Sequence, residues 1–271
     1  ITVFDNFSRN ALQSYSYANH PNLTVIKGDV CEFSEVEKAV CNADYIIHCA
    51  GIAGIDTVGL KPTRTLQVNM VGSFNVLEAA ARASKAKRVV CFSTSEVFGG
   101  MAFSSSETDR SVIGAVGEAR WTYAVSKLAE EHMAIAYYKE RGLPATVLRP
   151  FNIYGPGQVG EGALKKFVEQ ALRNAPITIY GDGTQIRAWC YVDDMVDGVL
   201  RCLENDKAVG ESFNIGNARS VETIYGLANT VIRVLKSHSE IRFAPAASAD
   251  IELRIPCVRK AKEVLDFEAK V

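Results

Sequence analysis

The chain has 271 residues, 48% of them apolar and 23% charged, enough for one large or two unequal domains around a sizeable core. Its 30 basic and 31 acidic side chains leave a net charge of -1 and are mixed along the sequence, which excludes the basic patch that nucleic acid or an anionic membrane surface requires. No apolar stretch approaches the ~20 residues that span a bilayer and no charged-then-apolar leader opens the sequence, so a cytoplasmic protein is expected.

Taken in order, short apolar runs alternate with helical patterns. "ITVFD" (1–5), "LTVIKGD" (23–29), "DYIIHCAG" (44–51), "KRVVCFS" (87–93), "ATVLRP" (145–150) and "SFNIG" (212–216) read as strands, bounded by Gly, Asp, Asn or Ser. Residues 31–41, 64–83 and 121–141 carry helical spacing. Strands apolar on both faces and separated by helices predict an α/β fold with a doubly wound parallel sheet, which takes its ligands beyond the carboxyl ends of the strands. After Pro150 the alternation loosens, and a helix-like 221–235 and a terminal "VRKAKEVLDF" follow. The expected division is residues 1–154 plus 188–216 for the sheet domain, and 155–187 plus 217–271 for a smaller interleaved lobe, with a cleft between them. In "YVDD", Asp193 and Asp194 read as caps of the following helix.

The first strand ends in Asp5. In a dinucleotide fold, an acidic residue ending the second strand hydrogen-bonds the adenosine ribose and repels a 2'-phosphate, favouring NAD over NADP. No glycine-rich loop precedes Asp5, although such a sheet has its first strand in the middle. A strand, glycine loop and helix of roughly 30 residues are therefore expected to be missing ahead of the numbered chain.

"CFSTSEVFGG" puts Ser93, Thr94, Ser95 and Glu96 at the end of a buried strand, where such a fold does its chemistry. In "RWTYAVSK", Tyr123 and Lys127 are four apart on a helical segment and face the same way. A tyrosine ionises near pH ~10, and making it a base at neutrality takes roughly 4 kcal/mol of differential stabilisation. A neighbouring ammonium and a positively charged nicotinamide ring can supply that. The seven cysteines (Cys31, Cys41, Cys49, Cys91, Cys190, Cys202, Cys257) and four histidines are scattered, so reduced core thiols and no metal site are expected.

With these residues in place, the sequence resembles the extended short-chain dehydrogenase/reductases that act on nucleotide sugars, a Rossmann-like family. "DNFSR", "GDV", "HCAG", "NMVGSFNVLEAA", "FSTSEVFG", "YAVSK", "LRPFNIYGPG", "ITIYGDGTQIRAWCYVDD" and "FNIGN" stand in family order along the whole chain. The resemblance implies that Thr94 hydrogen-bonds a sugar hydroxyl, that Tyr123 removes its proton as hydride passes from C4 to NAD, and that Lys127 holds the nicotinamide ribose. It implies cofactor contacts at Asp5, Asn6, Ser8, Asp29, Val30, Ala50, Gly51, Asn69 and Ser93. Asn152 and Arg187 are implied at the nucleotide diphosphate, which an arginine can grip with two parallel hydrogen bonds.

The triplet Thr94-Ser95-Glu96 separates the subfamilies. The 4,6-dehydratases have Asp in the middle as a general acid, and a serine is poorly matched to that task. The triplet, "RWTYAVSK", and "ELRIPCVRKAKEVLDFEAK" are similar to UDP-glucuronate decarboxylases, in which a C4 ketone lets the C6 carboxylate leave as CO2; Arg254 matches the arginine of their Arg-Lys-Pro-Ser stretch. Departures fall at Phe98, Ile255 and Cys257. The implied reading is a UDP-glucuronate decarboxylase. The alternatives are a nucleotide-sugar 4-epimerase, then a 4,6-dehydratase, then a silent NAD-binding sensor or scaffold. Family likeness also implies a homodimer through a four-helix interface that includes 121–141.

Overall fold

The computed structural model describes residues 1–246 and 250–271. Every apolar run read as a strand forms one: β1 (Thr2–Asp5), β2 (Thr24–Lys27), β3 (Tyr45–His48) and β4 (Arg88–Phe92) come first, with α1 (Phe33–Val40) between β2 and β3. The helical stretch before β4 is divided into α2 (Ile55–Leu60), α3 (Pro62–Leu66), a π turn over Gln67–Val71, and α4 (Gly72–Ala83). Pro62 opens α3 where its missing N–H is no loss.

Next come β5 (Met101–Ser105), the long helix α5 (Ala119–Arg141), β6 (Ala145–Pro150) and β7 (Ile153–Tyr154). α5 stops at Gly142, which takes the left-handed conformation, with Lys139 and Arg141 in its last turn facing the negative end of the helix dipole. The rest of the chain gives α6 (Ala163–Leu172), β8 (Ile177–Tyr180), β9 (Ile186–Ala188), β10 (Cys190–Tyr191), α7 (Val192–Glu204) and β11 (Ser212–Ile215). It ends in β12 (Val221–Thr223), α8 (Ile224–Leu235), β13 (Ile241–Ala244), β14 (Leu253–Pro256) and α9 (Arg259–Leu265).

β11, β6, β4 and β3 form an all-parallel sheet in that order. β4 and β6 are buried almost throughout because helices cover both faces, as their unbroken apolar runs demand. One core lies under α1 and α4 and includes Leu77, Val89 and Val147; the other lies under α7 and α9 and includes Val90, Leu148 and Phe213. β1 and β2 pair in parallel as a separate two-stranded sheet. β1 and β3 thus each have one edge without a strand partner among the described residues, and Tyr45 and Ile47 of β3 stay exposed.

A third core, built by Phe167, Ile177, Ile179, Leu227 and Val231, joins α6 and α8 to the β8–β13 pair. A mixed sheet ordered β12-β9-β14-β5 lies near the cleft. Asp193 and Asp194 fall in the first turn of α7 and cap nothing: Asp194 instead accepts from the backbone N–H groups of Lys270 and Val271 at 2.8 and 3.2 Å, tethering the end of the chain. Cys91, Cys190 and Cys202 are core thiols, whereas Cys41 is exposed, and no described helix is long and apolar enough to cross a membrane.

Candidate active site

Past Phe92 the chain leaves β4 through Ser93 and Thr94 and makes one 3-10 turn, Ser95–Phe98. The Thr94 hydroxyl caps that turn by accepting from the Glu96 N–H at 3.2 Å, which answers one of the orphan donors of a helix start. Gly99 ends it at φ 83°, and a Cβ there would stand 2.0 Å from the Val112 carbonyl oxygen, so only glycine closes the turn. Thr94, Ser95 and Glu96 are thereby presented along one wall of a cleft of about 600 Å³, a volume suited to a sizeable small molecule.

α5 supplies Arg120 and Tyr123 to the same cleft. One turn on, Lys127 is buried beneath it, its Nζ donating to the Phe92 carbonyl at 2.7 Å and pairing with Glu130 at 2.7 Å. Tyr123 lies one turn before Lys127 on the same helix. Burial pushes the Tyr123 phenol above its usual range; Lys127 and the Thr94 hydroxyl pull it down, and Glu96 adds to the rise. Within the protein alone the phenol stays protonated at neutrality, and a further positive charge beside it is needed to make it a base.

The far wall is basic. β14 lies in parallel between β9 and β5, in a register that pairs Arg254 with Arg187. Both are buried, and burial first, then the other arginine, pushes the Arg187 guanidinium down to about 10. Arg254 Nη1 stands 3.5 Å from Glu96 Oε1, and its Nε and Nη2 have no partner in the protein. Asp250 answers two of the arginines, 3.5 Å from Arg120 and 3.6 Å from Arg187. Here three guanidinium groups meet two carboxylates, a local positive excess suited to an anionic ligand, while Asp56, Glu161 and Lys166 elsewhere in the lining bring the cleft as a whole to balance. Asn152, held at φ 41° with its amide on the Ala188 carbonyl at 2.8 Å, joins this cleft.

Sequence reasoning gave no role to Arg120 and did not pick out Asp250. The signal for Arg120 was its position three residues before Tyr123, which places both on one helix face. Nothing local marks Asp250, whose partners Arg120 and Arg187 lie 130 and 63 positions before it in the sequence.

The residues expected at the cofactor gather elsewhere, at the carboxyl ends of β1, β2 and β3. Asp5 accepts from Phe7 N–H at 2.6 Å and Asn6 from Ser8 N–H at 3.0 Å, shaping the turn after β1. Asp29 is ion-paired to Arg64 at 2.5 Å and accepts from Cys31 N–H at 2.9 Å; although burial opposes it, these contacts hold its carboxyl below the usual range. Val30 is buried in the core against Gly72, and its carbonyl accepts from the Asn75 side-chain amide at 2.9 Å. The Ser93 hydroxyl is engaged by Glu131, which also pairs with Arg149 at 2.6 Å.

Asn69, fully buried in the π turn, clamps the loop after β3. Its Oδ1 accepts from Ile52 N–H at 2.7 Å while its Nδ2 donates to the Ile52 carbonyl at 3.0 Å. That clamp sets Ala50 and Gly51 beside Lys127: a Cβ on Gly51 would lie 3.2 Å from Asn69 Oδ1 and 3.3 Å from Lys127 Nζ. The bare backbone there is what lets a ligand approach the ammonium.

Comparison with known proteins bears on both groups of residues. The model of the NAD dependent epimerase/dehydratase family matches residues 4–216. A UDP-N-acetyl-alpha-D-glucosaminuronate decarboxylase of Bacillus cytotoxicus is 31% identical over 280 residues, covering all of this chain and 85% of that protein. UDP-glucuronic acid decarboxylase 1 of Arabidopsis thaliana is 34% identical over 275 residues, and this chain spans only 61% of its length. Among solved structures, the UDP-glucuronic acid 4-epimerase of Bacillus cereus in complex with UDP-glucuronic acid and NAD matches at a TM-score of 0.90 and 26% identity, covering 100% of this chain and 86% of that one.

Proposed function

The chain belongs to the NAD dependent epimerase/dehydratase family, and on that premise we propose that it is a UDP-glucuronate decarboxylase. NAD is the cofactor, and when bound it would supply the hydride acceptor for the sugar C4. The residues present suit it: strand ends carrying Asp5, Asp29 and Gly51 lead toward Lys127 and Tyr123, and the uncovered Gly51 backbone leaves room where a Cβ would crowd Lys127 Nζ at 3.3 Å. On this reading the segment 1–154 plus 188–216 holds the dinucleotide, and 155–187 plus 217–271, which contains the buried residues of the third core, holds the nucleotide sugar, with α9 and the residues after it packing instead into the sheet's second core.

Tyr123 takes the proton of the C4 hydroxyl, with Thr94 hydrogen-bonding the same oxygen and Lys127 favouring the phenolate. Oxidation at C4 puts the C6 carboxylate beta to a ketone, so the C5–C6 bond breaks with its electrons passing into the enolate and CO2 leaving, and C5 then takes a proton from water to give the 4-keto-pentose. Orientation and charge placement suffice for that step. Arg254 and Glu96 hold the C5 side of the sugar, and Ser95 supplies a hydroxyl where a dehydratase needs an acid. Arg187 and Asn152 bind the diphosphate, and Arg120 adds a positive charge to the same cleft.

The observation that carries this reading is the Glu96–Arg254 pair, 3.5 Å apart in the cleft that also holds Tyr123. The test is incubation of the protein with NAD and UDP-glucuronate, with mass spectrometry of the products. Loss of CO2 to give a UDP-pentose or UDP-4-keto-pentose is expected. A mass-neutral conversion makes the protein an epimerase instead, and activity restricted to UDP-N-acetylglucosaminuronate moves the substrate within the uronates. The reading includes a homodimer, supported by Val71, Phe74 and Val125 exposed on the helices around α4 and α5; sedimentation of the wild type against Phe74→Asp tests it.

A further inference from the structure

Glu130 has no part in the chemistry above, yet it is fully buried and touches the one ammonium that the chemistry needs. Its Oε2 is 2.7 Å from Lys127 Nζ, and its Oε1 has no hydrogen-bond partner. A carboxylate with an unmet acceptor in a dry site is expensive unless a cation compensates it. The reverse also holds: Lys127, buried as it is, needs a counter-ion.

We propose that Glu130 is a positioning residue which keeps Lys127 protonated and fixes its Nζ between the Phe92 carbonyl and the Gly51 backbone, so that Tyr123 is served by a permanent charge. The proposal rests on the assignment of Tyr123 and Lys127 given above.

No other group around the pair does this. From β3 and the residue after it come His48 and Cys49, from α4 Ser73, from β4 Cys91, and from α5 itself Tyr123 and Glu131. His48, with Nε2 2.9 Å from the Ser73 hydroxyl, is pushed down to about 3 by burial and stays neutral. Cys91 is buried and pushed well above its ordinary value, first by desolvation, so it is not a thiolate, and Cys49 is exposed. Glu131 is taken by Arg149 at 2.6 Å. Burial by itself would push Lys127 down; Glu130 first, with Tyr123 and Cys49 adding to it, more than offsets that and holds it above the ordinary lysine range, while burial pushes the Glu130 carboxyl up and Lys127 pulls it back.

The test is Glu130→Gln, which keeps shape but not charge, with Glu130→Met as a second variant that fills the space without a polar atom. Tyr123 ionisation is read from the absorbance rise near 295 nm as the difference between each protein and its Tyr123→Phe partner, without substrate. Losing Glu130 removes a charge that itself raises Tyr123 slightly, but it lets Lys127 shed its proton first, and loss of that larger influence moves the Tyr123 midpoint up, by about half a pH unit or more. An unchanged or lower midpoint means that Lys127 stays charged without Glu130, and overturns the proposal. In turnover, the alkaline limb of kcat/KM moves down by about one pH unit in Glu130→Gln and is largely restored in Glu130→Asp; an equal loss at every pH marks a merely structural role and also overturns it. A Tyr123 shift without turnover of any UDP-uronate leaves Glu130 in place and rejects the substrate assignment instead.

Discussion

Arg254 Nη1 meets Glu96 Oε1 at 3.5 Å although the two residues lie 158 positions apart, one on β14 and the other in the turn after β4. With two guanidinium nitrogens unpartnered, Arg254 has donors to spare for a substrate carboxylate. Glu96→Gln and Arg254→Met are each expected to lower kcat/KM for UDP-glucuronate by ~100-fold or more, in the range of a lost acid-base or charge-orienting group. Because they act as a unit, the double variant should lose much less than the product of the two. Arg254→Lys should not rescue, since an ammonium cannot serve two acceptors with the same fixed fork. Full additivity in CO2 release assays would separate their roles.

Tyr123→Phe removes the proton acceptor while keeping the ring that packs above Lys127. Turnover is expected to fall by ~10³-fold with secondary structure and NAD binding retained. The check is NADH absorbance at 340 nm in single-turnover mixing: a normal burst of reduction in the variant would show that some other group takes the C4 proton.

How far the sequence led is decided by whether a signal is local. The strands β1 to β4 and the helical spacing of Tyr123 and Lys127 follow from periodicity within a few residues and could be read directly, whereas the cap that Thr94 puts on the turn after β4 was not read. The neighbourhood of Arg187 and Arg254 could not, because it depends on the register of β14 against β9, a non-local pairing with no marker in either segment. Asp194 was misread for the same reason: a first-turn aspartate before a helix ordinarily suggests a cap, and its actual partners, the N–H groups of Lys270 and Val271, lie more than seventy positions away. Glu130 is hidden differently, since a second glutamate beside Glu131 on a helix reads as solvated charge until both turn out to be buried.

Gly99 is the hinge of the catalytic turn, and its replacement separates two backbone effects. Gly142 also has positive φ, at 67°, but a Cβ there meets nothing within 4 Å, so Gly142→Ala should cost only the left-handed conformation, about 1 kcal/mol. Gly99→Ala adds a Cβ 2.0 Å from the Val112 carbonyl oxygen and must move backbone. A loss of about 3 kcal/mol or more in urea unfolding is expected, with activity lost besides because Thr94 to Glu96 shift with the turn. Equal stability losses in the two variants would mean that the loop around Val112 yields freely.

Glu161 gives the pH dependence a definite sign. Its carboxylate accepts from the Asp56 and Thr57 N–H groups at 2.9 and 3.0 Å and from the Thr57 hydroxyl at 2.6 Å, tying the loop before α6 to the start of α2. Burial works against the charge, but these bonds, with Lys166 nearby, hold the carboxyl below its ordinary 4.5. A carboxyl depressed in the folded state stabilises the fold fully above its unfolded value and loses that contribution as pH falls through the folded value. At pH 7, Glu161→Gln should therefore cost about 1–2 kcal/mol, since the amide still accepts but without charge. As pH falls below that ordinary value and on through the depressed folded one, the wild-type group protonates and the difference between the two proteins should close. Thermal melts of both proteins from pH 3 to pH 8 check this: a gap that stays constant across the range would mean that Glu161 acts through packing, with no contribution from its charge.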